Sequence, residues 1–209
     1  MLMPRPWLIG VKRRTLNDIY FLRPSEIYGL ITTKAWPYKI NKEFYELRDK
    51  ALMALLYLTC GRVSEVLSLK HKQFDLESEP DFVIIHNMIV VKRKKKAKKK
   101  SRAIRDKVPL PKEGPLAPFT KLVLDYLKRI EKPEDRLFKF GRNRAFKIVR
   151  YVTGQWPHWF RSQGESWYGK TFSNPFILKE FVGLTSIEVL SDYVKTDWRM
   201  FRKALLRNT

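Results

Sequence analysis

His158 and Arg161 stand three residues apart in Pro157-His158-Trp159-Phe160-Arg161, so a helical turn puts them on one face. Tyr193 follows thirty-two residues beyond Arg161. Far upstream, Arg62 lies in Leu58-Thr59-Cys60-Gly61-Arg62-Val63-Ser64-Glu65, and a lysine-dense stretch separates it from His158. Two arginines, a histidine, a lysine and a tyrosine are the groups needed to break a DNA phosphodiester without a metal. Arginine's planar fork offers paired hydrogen bonds to two phosphoryl oxygens and neutralises charge growing on phosphorus. A histidine beside that phosphate donates to it or carries a proton. Tyrosine, with an ordinary pKa of about 10, needs such cationic surroundings to attack at neutral pH. A lysine suits protonation of the leaving 5′ oxygen. Each residue alone has a plainer reading: Arg62 as a helix cap held by Glu65, Tyr193 as packing. The argument rests on their order and spacing.

The rest of the chain must bring these groups together. Across 209 residues, 43 Lys+Arg face 21 Asp+Glu, a net charge of +22, while 44% of residues are hydrophobic. That combination describes a folded domain with a polyanionic partner, nucleic acid first. A small domain needs a net charge of no more than about 8 for solubility alone. The single cysteine, Cys60, excludes an internal disulfide, and no Cys/His spacing suits zinc. No metal and no cofactor are expected. Every apolar run is broken by Arg, Lys or Pro before it could span a bilayer, so no membrane partner is expected either. Met1 to Gly10 lacks signal-peptide character, which argues for an intracellular protein.

Residues 1–40 carry Pro4, Pro6, Pro24 and Pro37 without periodicity and read as an irregular arm with room for a short helix at Ser25–Ile31. Residues 41–209 read as one domain. Apolar positions from Phe44 to Leu58 recur at three and four residues, predicting an amphipathic helix over Lys42–Leu58 that Gly61 ends. A second helix is expected over Ser64–Lys70. Phe82–Val91 and Ile104–Leu110 read as strands of a long hairpin. Its tip, Lys92-Arg93-Lys94-Lys95-Lys96-Ala97-Lys98-Lys99-Lys100, reads as a basic finger for DNA. Helices follow at Phe119–Ile130 and Arg142–Val152, the latter presenting Arg142, Arg144 and Lys147 as further phosphate contacts. Asn174-Pro175 opens another helix that Gly183 closes, and Thr185-Ser186-Ile187-Glu188 has capping-box spacing ahead of Tyr193. The fold class is α+β, mostly helical with one small antiparallel sheet.

These segments resemble the tyrosine recombinases (phage integrases), their archaeal members in particular. The stretch from Leu47 through Arg62-Val63-Ser64-Glu65 to Leu69 is similar to the family's first arginine box. Lys107-Val108-Pro109-Leu110 resembles the close of its lysine hairpin, and Pro157-His158-Trp159-Phe160-Arg161 its His-x-x-Arg box. Phe176 to Gly183 and Ser191-Asp192-Tyr193-Val194 resemble the approach to its tyrosine. The resemblance spans roughly residues 20–207. It implies a catalytic-domain fold and cleavage through a 3′-phosphotyrosine intermediate with a free 5′ hydroxyl. Neither metal nor ATP is implied. Arg62, His158, Arg161 and Tyr193 carry over as catalytic residues, Glu65 as a supporting acid. Lys94 takes the lysine's place, with Lys96 the competing choice.

It further implies double-stranded DNA as partner, self-association on it, a cytoplasmic, nucleoid-associated setting, and a virus or mobile element as the encoding source. Integration or another site-specific recombination is the implied outcome. Nicking and resealing in the manner of a type IB topoisomerase is the alternative within the same chemistry. Three departures stand out. Leu184 occupies the place where the family usually has a phosphate-donating His or Trp, which implies weakened chemistry or a DNA-binding protein that keeps only the fold. Thr59-Cys60-Gly61-Arg62 shifts the family's glycine by one position. About forty residues precede the first long helix, too few for the family's DNA-clamping domain.

Overall fold

Eight consecutive residues of one helix, Ala51 to Leu58, are all buried. They form the second half of α2 (Lys42–Leu58), which packs chiefly against α4 (Ala117–Leu127) and α6 (Pro157–Thr171). The amphipathic pattern therefore holds only for the first half, where Phe44 remains partly exposed. Beyond it α2 is apolar on every side, the mark of a central helix. The computed structural model describes residues 21–91, 102–172 and 174–183.

The short helix expected in the arm is α1 (Pro24–Thr33), seated on the core through Ile27 and Ile31. After it, Trp36 stacks on Tyr38, whose hydroxyl bonds the carboxylate of Asp49, buried within α2. Arg48 closes that group through its own bond to Asp49 at 2.8 Å. The second helix, α3, is shorter than the sequence suggests, spanning Val63–Val66. By Leu69 and Lys70 the backbone turns to pair with Arg136 and Leu137 across the fold, which takes those residues out of the helix.

The sheet has three antiparallel strands in the order β1 (Phe74–Asp75), β2 (Phe82–Val91) and β3 (Arg102–Pro111). Its alternation is broken at Asn87, which adopts φ +53°. Asparagine is among the residues that tolerate this region best. Val83 and Ile85 point inward before the break, Met88 and Val90 after it, so the inward set changes parity. The partner strand changes with it, from Leu110 and Val108 to Arg105. The Gln73 amide donates to the carbonyls of His86 and Asn87 at 2.9 and 3.1 Å, tying the irregular point to the main body. Past the sheet come α4, α5 (Arg142–Thr153), α6 and α7 (Pro175–Val182). The predicted caps of α7 are present: Asn174 Oδ1 accepts from Phe176 N at 2.8 Å, and Gly183 takes φ +71°. Together these elements make an α+β domain in which helices dominate one small antiparallel sheet.

Candidate active site at the end of the central helix

A helix leaves its last carbonyls without partners and carries partial negative charge there. At the C-terminus of α2, three side chains from distant elements occupy three successive carbonyls. Tyr168 Oη donates to Leu58 O at 2.9 Å, Arg105 Nη1 to Thr59 O at 2.8 Å, and Arg161 Nη1 to Cys60 O at 2.7 Å. The turn that presents them is tight. Cys60, buried, takes φ +49°, a conformation glycine adopts with less strain. Gly61 follows it, where a Cβ would lie 2.8 Å from both Met88 and Thr59 side-chain atoms. The shifted glycine thus answers to space, and the left-handed backbone falls on cysteine.

Arg62 comes next, half-exposed, as the N-terminal cap of α3. Glu65, fully buried, accepts both the Arg62 backbone N–H at 2.8 Å and Arg62 Nη1 at 2.9 Å. A buried carboxylate therefore fixes the direction of Arg62.

Pro157 starts α6, where a missing N–H costs nothing. The helix then lies on α2 at Gly164, where a Cβ would come 2.5 Å from Tyr57 O and 2.6 Å from Cys60 Sγ. That close approach carries Arg161 into the turn. Its side chain is 2% exposed, and Nε forms an ion pair at 2.7 Å with Glu165, one helical turn on. The pairing lacks hydrogen-bond alignment. Burial first, against the pull of Arg161 and Arg62, pushes the Glu165 carboxyl up to about 7. Arg161 is thus aimed by Glu165 and Cys60, a pair of anchors the sequence pattern did not reveal.

His158 shares this neighbourhood and keeps an exposed edge. Its protein surroundings, then the guanidiniums of Arg161 and Arg62, push its pKa down to about 4, so the ring is neutral at pH 7. Residues separated by almost a hundred positions are therefore electrostatically coupled at one turn. Arg142, Arg144 and Lys147 lie elsewhere, exposed on α5, where Arg144 Nη2 bonds Tyr38 Oη at 3.0 Å. Lys92, Arg93, Lys94, Lys95, Lys96, Lys98, Lys99, Lys100, Leu184 and Tyr193 lie outside the described residues. Among the described residues, no cluster of His, Cys, Asp and Glu suits a metal, and no helix is long and apolar enough to cross a membrane.

Two residues escaped the sequence reading: Glu165, four positions after Arg161, and Arg105, on β3. The first had a signal in its i,i+4 spacing. The second had none, because strict alternation with Val108 and Leu110 places Arg105 on the outer face.

No family model matches the chain, and no curated protein matches it by sequence. Solved structures do. The XerH site-specific recombinase bound to palindromic difH substrate, in a post-cleavage complex, is similar with a TM-score of 0.61 at 16% identity. That match covers 88% of this chain and 52% of the other. XerA recombinase gives 0.56 at 15% identity, over 97% and 66% of the two chains. The Tn1549 transposon integrase in complex with circular intermediate DNA gives 0.55 at 16%, over 91% and 67%. This chain thus spans about half the length of the XerH protein it matches. The fold it shares with them is that of tyrosine recombinase catalytic domains.

Proposed function

We propose that this chain is a site-specific tyrosine recombinase that cleaves and rejoins double-stranded DNA through a 3′-phosphotyrosine link. The observation that carries this reading is the convergence of Arg62, His158 and Arg161 at the end of α2, within a recombinase fold. In this reading residues 41–209 form the catalytic domain and residues 1–40 an arm upon it.

The chemistry assigns a role to each group. Tyr193 Oη attacks the scissile phosphorus, and the bond to the 5′ oxygen breaks. Lys94, with Lys96 as the competing candidate, gives that oxygen its proton. Arg62 and Arg161 bear the charge of the five-coordinate phosphorus, where losing one preorganised donor typically costs ~10²–10³ in rate. Neutral His158 is suited to accept the tyrosine proton or to donate one hydrogen bond to the phosphate. Reversal by the 5′ hydroxyl of another strand joins DNA without an external energy source. The excess of +22, with eight basic residues in Lys92 to Lys100 and four on α5, supports binding along the phosphate backbone. Self-association on paired sites completes the reading.

A second reading, a DNA-binding protein that keeps the fold without the chemistry, is favoured by Leu184 and by the engagement of Arg161 with Glu165 and Cys60. Covalent capture separates the two. The full chain, in chelator, is incubated with a library of nicked duplexes from which the cleaved piece diffuses away, and DNA still attached after denaturation is sequenced. Attachment is expected with the natural chain and is lost entirely in Tyr193→Phe, which keeps its DNA affinity. Binding without attachment in either protein would establish the second reading.

A further inference from the structure

Arg105 is a buried cation for which the roles above have no use. Its place follows from the parity change at Asn87: Arg105 pairs with Met88 across β2 and β3 and turns inward, while Lys107 stays exposed. Only 7% of its surface is exposed. One nitrogen, Nη1, is bonded to Thr59 O. The other two, Nε and Nη2, are buried and have no hydrogen-bond partner among the described residues. Those two N–H groups lie along a single edge of the guanidinium and form the fork that grips two oxygens of one phosphate. Buried donors left open are costly, and a charged group more so.

The surroundings hold that edge in place. The guanidinium lies over the Phe181 ring at 5.5 Å, and Cδ is 3.1 Å from where a Cβ of Gly183 would be. A side chain at position 183 would crowd the aliphatic stem of Arg105, so glycine there lets the stem lie close against the backbone. Arg105 and Arg161 end on the successive carbonyls of Thr59 and Cys60, so both guanidiniums stand at the turn that leads into Arg62. Arg161 differs in having Nε already paired with Glu165. Two guanidiniums on successive carbonyls of one turn favour a nearby anion.

The geometry points to Arg105 as a further phosphate-contacting residue of this site, its Nε–Nη2 edge gripping two non-bridging oxygens of the reacting DNA phosphate. The inference rests on the recombinase reading for the identity of that phosphate. A purely structural Arg105 would cap α2 through Thr59 and do nothing else. Lysine preserves a charge and a single donor for that cap but has no fork, so Arg105→Lys separates the roles where Arg105→Met risks the fold.

Two measurements on the full chain decide it. In the first, inorganic phosphate is titrated against chloride at matched ionic strength and thermal stabilisation is followed. Phosphate is expected to stabilise the natural chain, with half-saturation shifted about tenfold or more upward in Arg105→Lys, as loss of a charge-assisted bond implies. No stabilisation of the natural chain, or equal half-saturation in the two proteins, overturns the inference. In the second, on the duplex captured through Tyr193, Arg105→Lys is expected to slow attachment ~10²-fold. That deficit should collapse when the scissile phosphate is a methylphosphonate, which cannot offer two charged oxygens. An equal deficit on both duplexes assigns Arg105 to capping alone. Absence of any attachment by the natural chain would sink the recombinase reading, and the phosphate titration would still decide Arg105.

Discussion

The turn after α2 and the outer face of α5 are both rich in arginine, and they hold it in opposite ways. At the turn, Arg105 and Arg161 are 7% and 2% exposed, each ending on a backbone carbonyl, and Glu65 and Glu165 stand beside the cluster. On α5, Arg142, Lys147 and Arg150 point into solvent. Low local dielectric makes the buried charges strong and directional, whereas water and salt weaken the exposed ones. The difference teaches that the net charge of the chain speaks for its outer surface, while the proposed chemistry would rest on a few cations fixed by helix-end carbonyls and carboxylates. Substitutions at the turn should change stability and rate. Substitutions on α5 should change affinity and its dependence on salt.

The sharpest way to break this contrast is Arg161→Ala. It leaves Glu165 buried without its partner, and breaking such a pair costs about 3–5 kcal/mol. Chemical denaturation at pH 8, where Glu165 is ionised, should show that loss. A smaller loss is expected at pH 6, because an unpaired Glu165 takes up a proton there. A loss below about 1 kcal/mol at pH 8, the range of exposed ion pairs, would place Arg161 with the exposed arginines of α5. Next in size is Gly164→Ala, whose new methyl would come 2.5 Å from Tyr57 O and force α6 off α2. Overpacking of this kind costs about 1–3 kcal/mol, read by urea unfolding. An unchanged midpoint would show that the two helices do not meet this closely.

How far the sequence could be read follows the same division. Arg62, His158 and Arg161 could be picked out as candidates because each sits beside a local marker: a glycine turn, a proline helix start, an i,i+3 spacing. The α7 caps were legible for the same reason. Arg105 was not, since its inward turn depends on left-handed backbone at Asn87 on a neighbouring strand. Nor was the full burial of α2 beyond Ala51, because burial on all sides depends on which helices surround it, and a 3.6-residue period reports only one face. Two-residue β1 is too short for any period. The helix expected at Ser64–Lys70 gives up its end to pairing with Arg136 and Leu137, between segments far apart in sequence.

On the exposed side, Arg142→Gln with Lys147→Gln tests whether α5 lies on DNA. Removing one phosphate-binding cation should reduce the slope of log affinity against log salt by roughly 1, so the double variant should reduce it by about 2. Its attachment rate at saturating duplex should match that of the natural chain. An unaltered slope would remove α5 from the DNA face, and an altered rate at saturation would erase its distinction from the turn. Arg144 is a poorer probe, because its bond to Tyr38 also ties α5 to the arm.

The smallest effect expected is the most informative about where the two regimes meet. His158 has an exposed edge, yet its surroundings and two arginines of the turn hold its pKa near 4, against 6.5 ordinarily. In the unfolded chain the ring takes up a proton near its ordinary pKa, while in the folded chain it stays neutral. Stability from this source is therefore complete above about pH 6.5 and declines as pH falls toward 4. His158→Gln cannot titrate, so the natural chain should lose melting temperature relative to the variant across that window. Inorganic phosphate should reduce the relative loss, since an anion beside Arg62 and Arg161 offsets the charge that disfavours the imidazolium. Parallel curves without phosphate would mean that solvent at the exposed edge screens the arginines, and His158 would then behave like the residues of α5. Divergent curves that phosphate draws together would put an anion, both arginines and the imidazole within one electrostatic field.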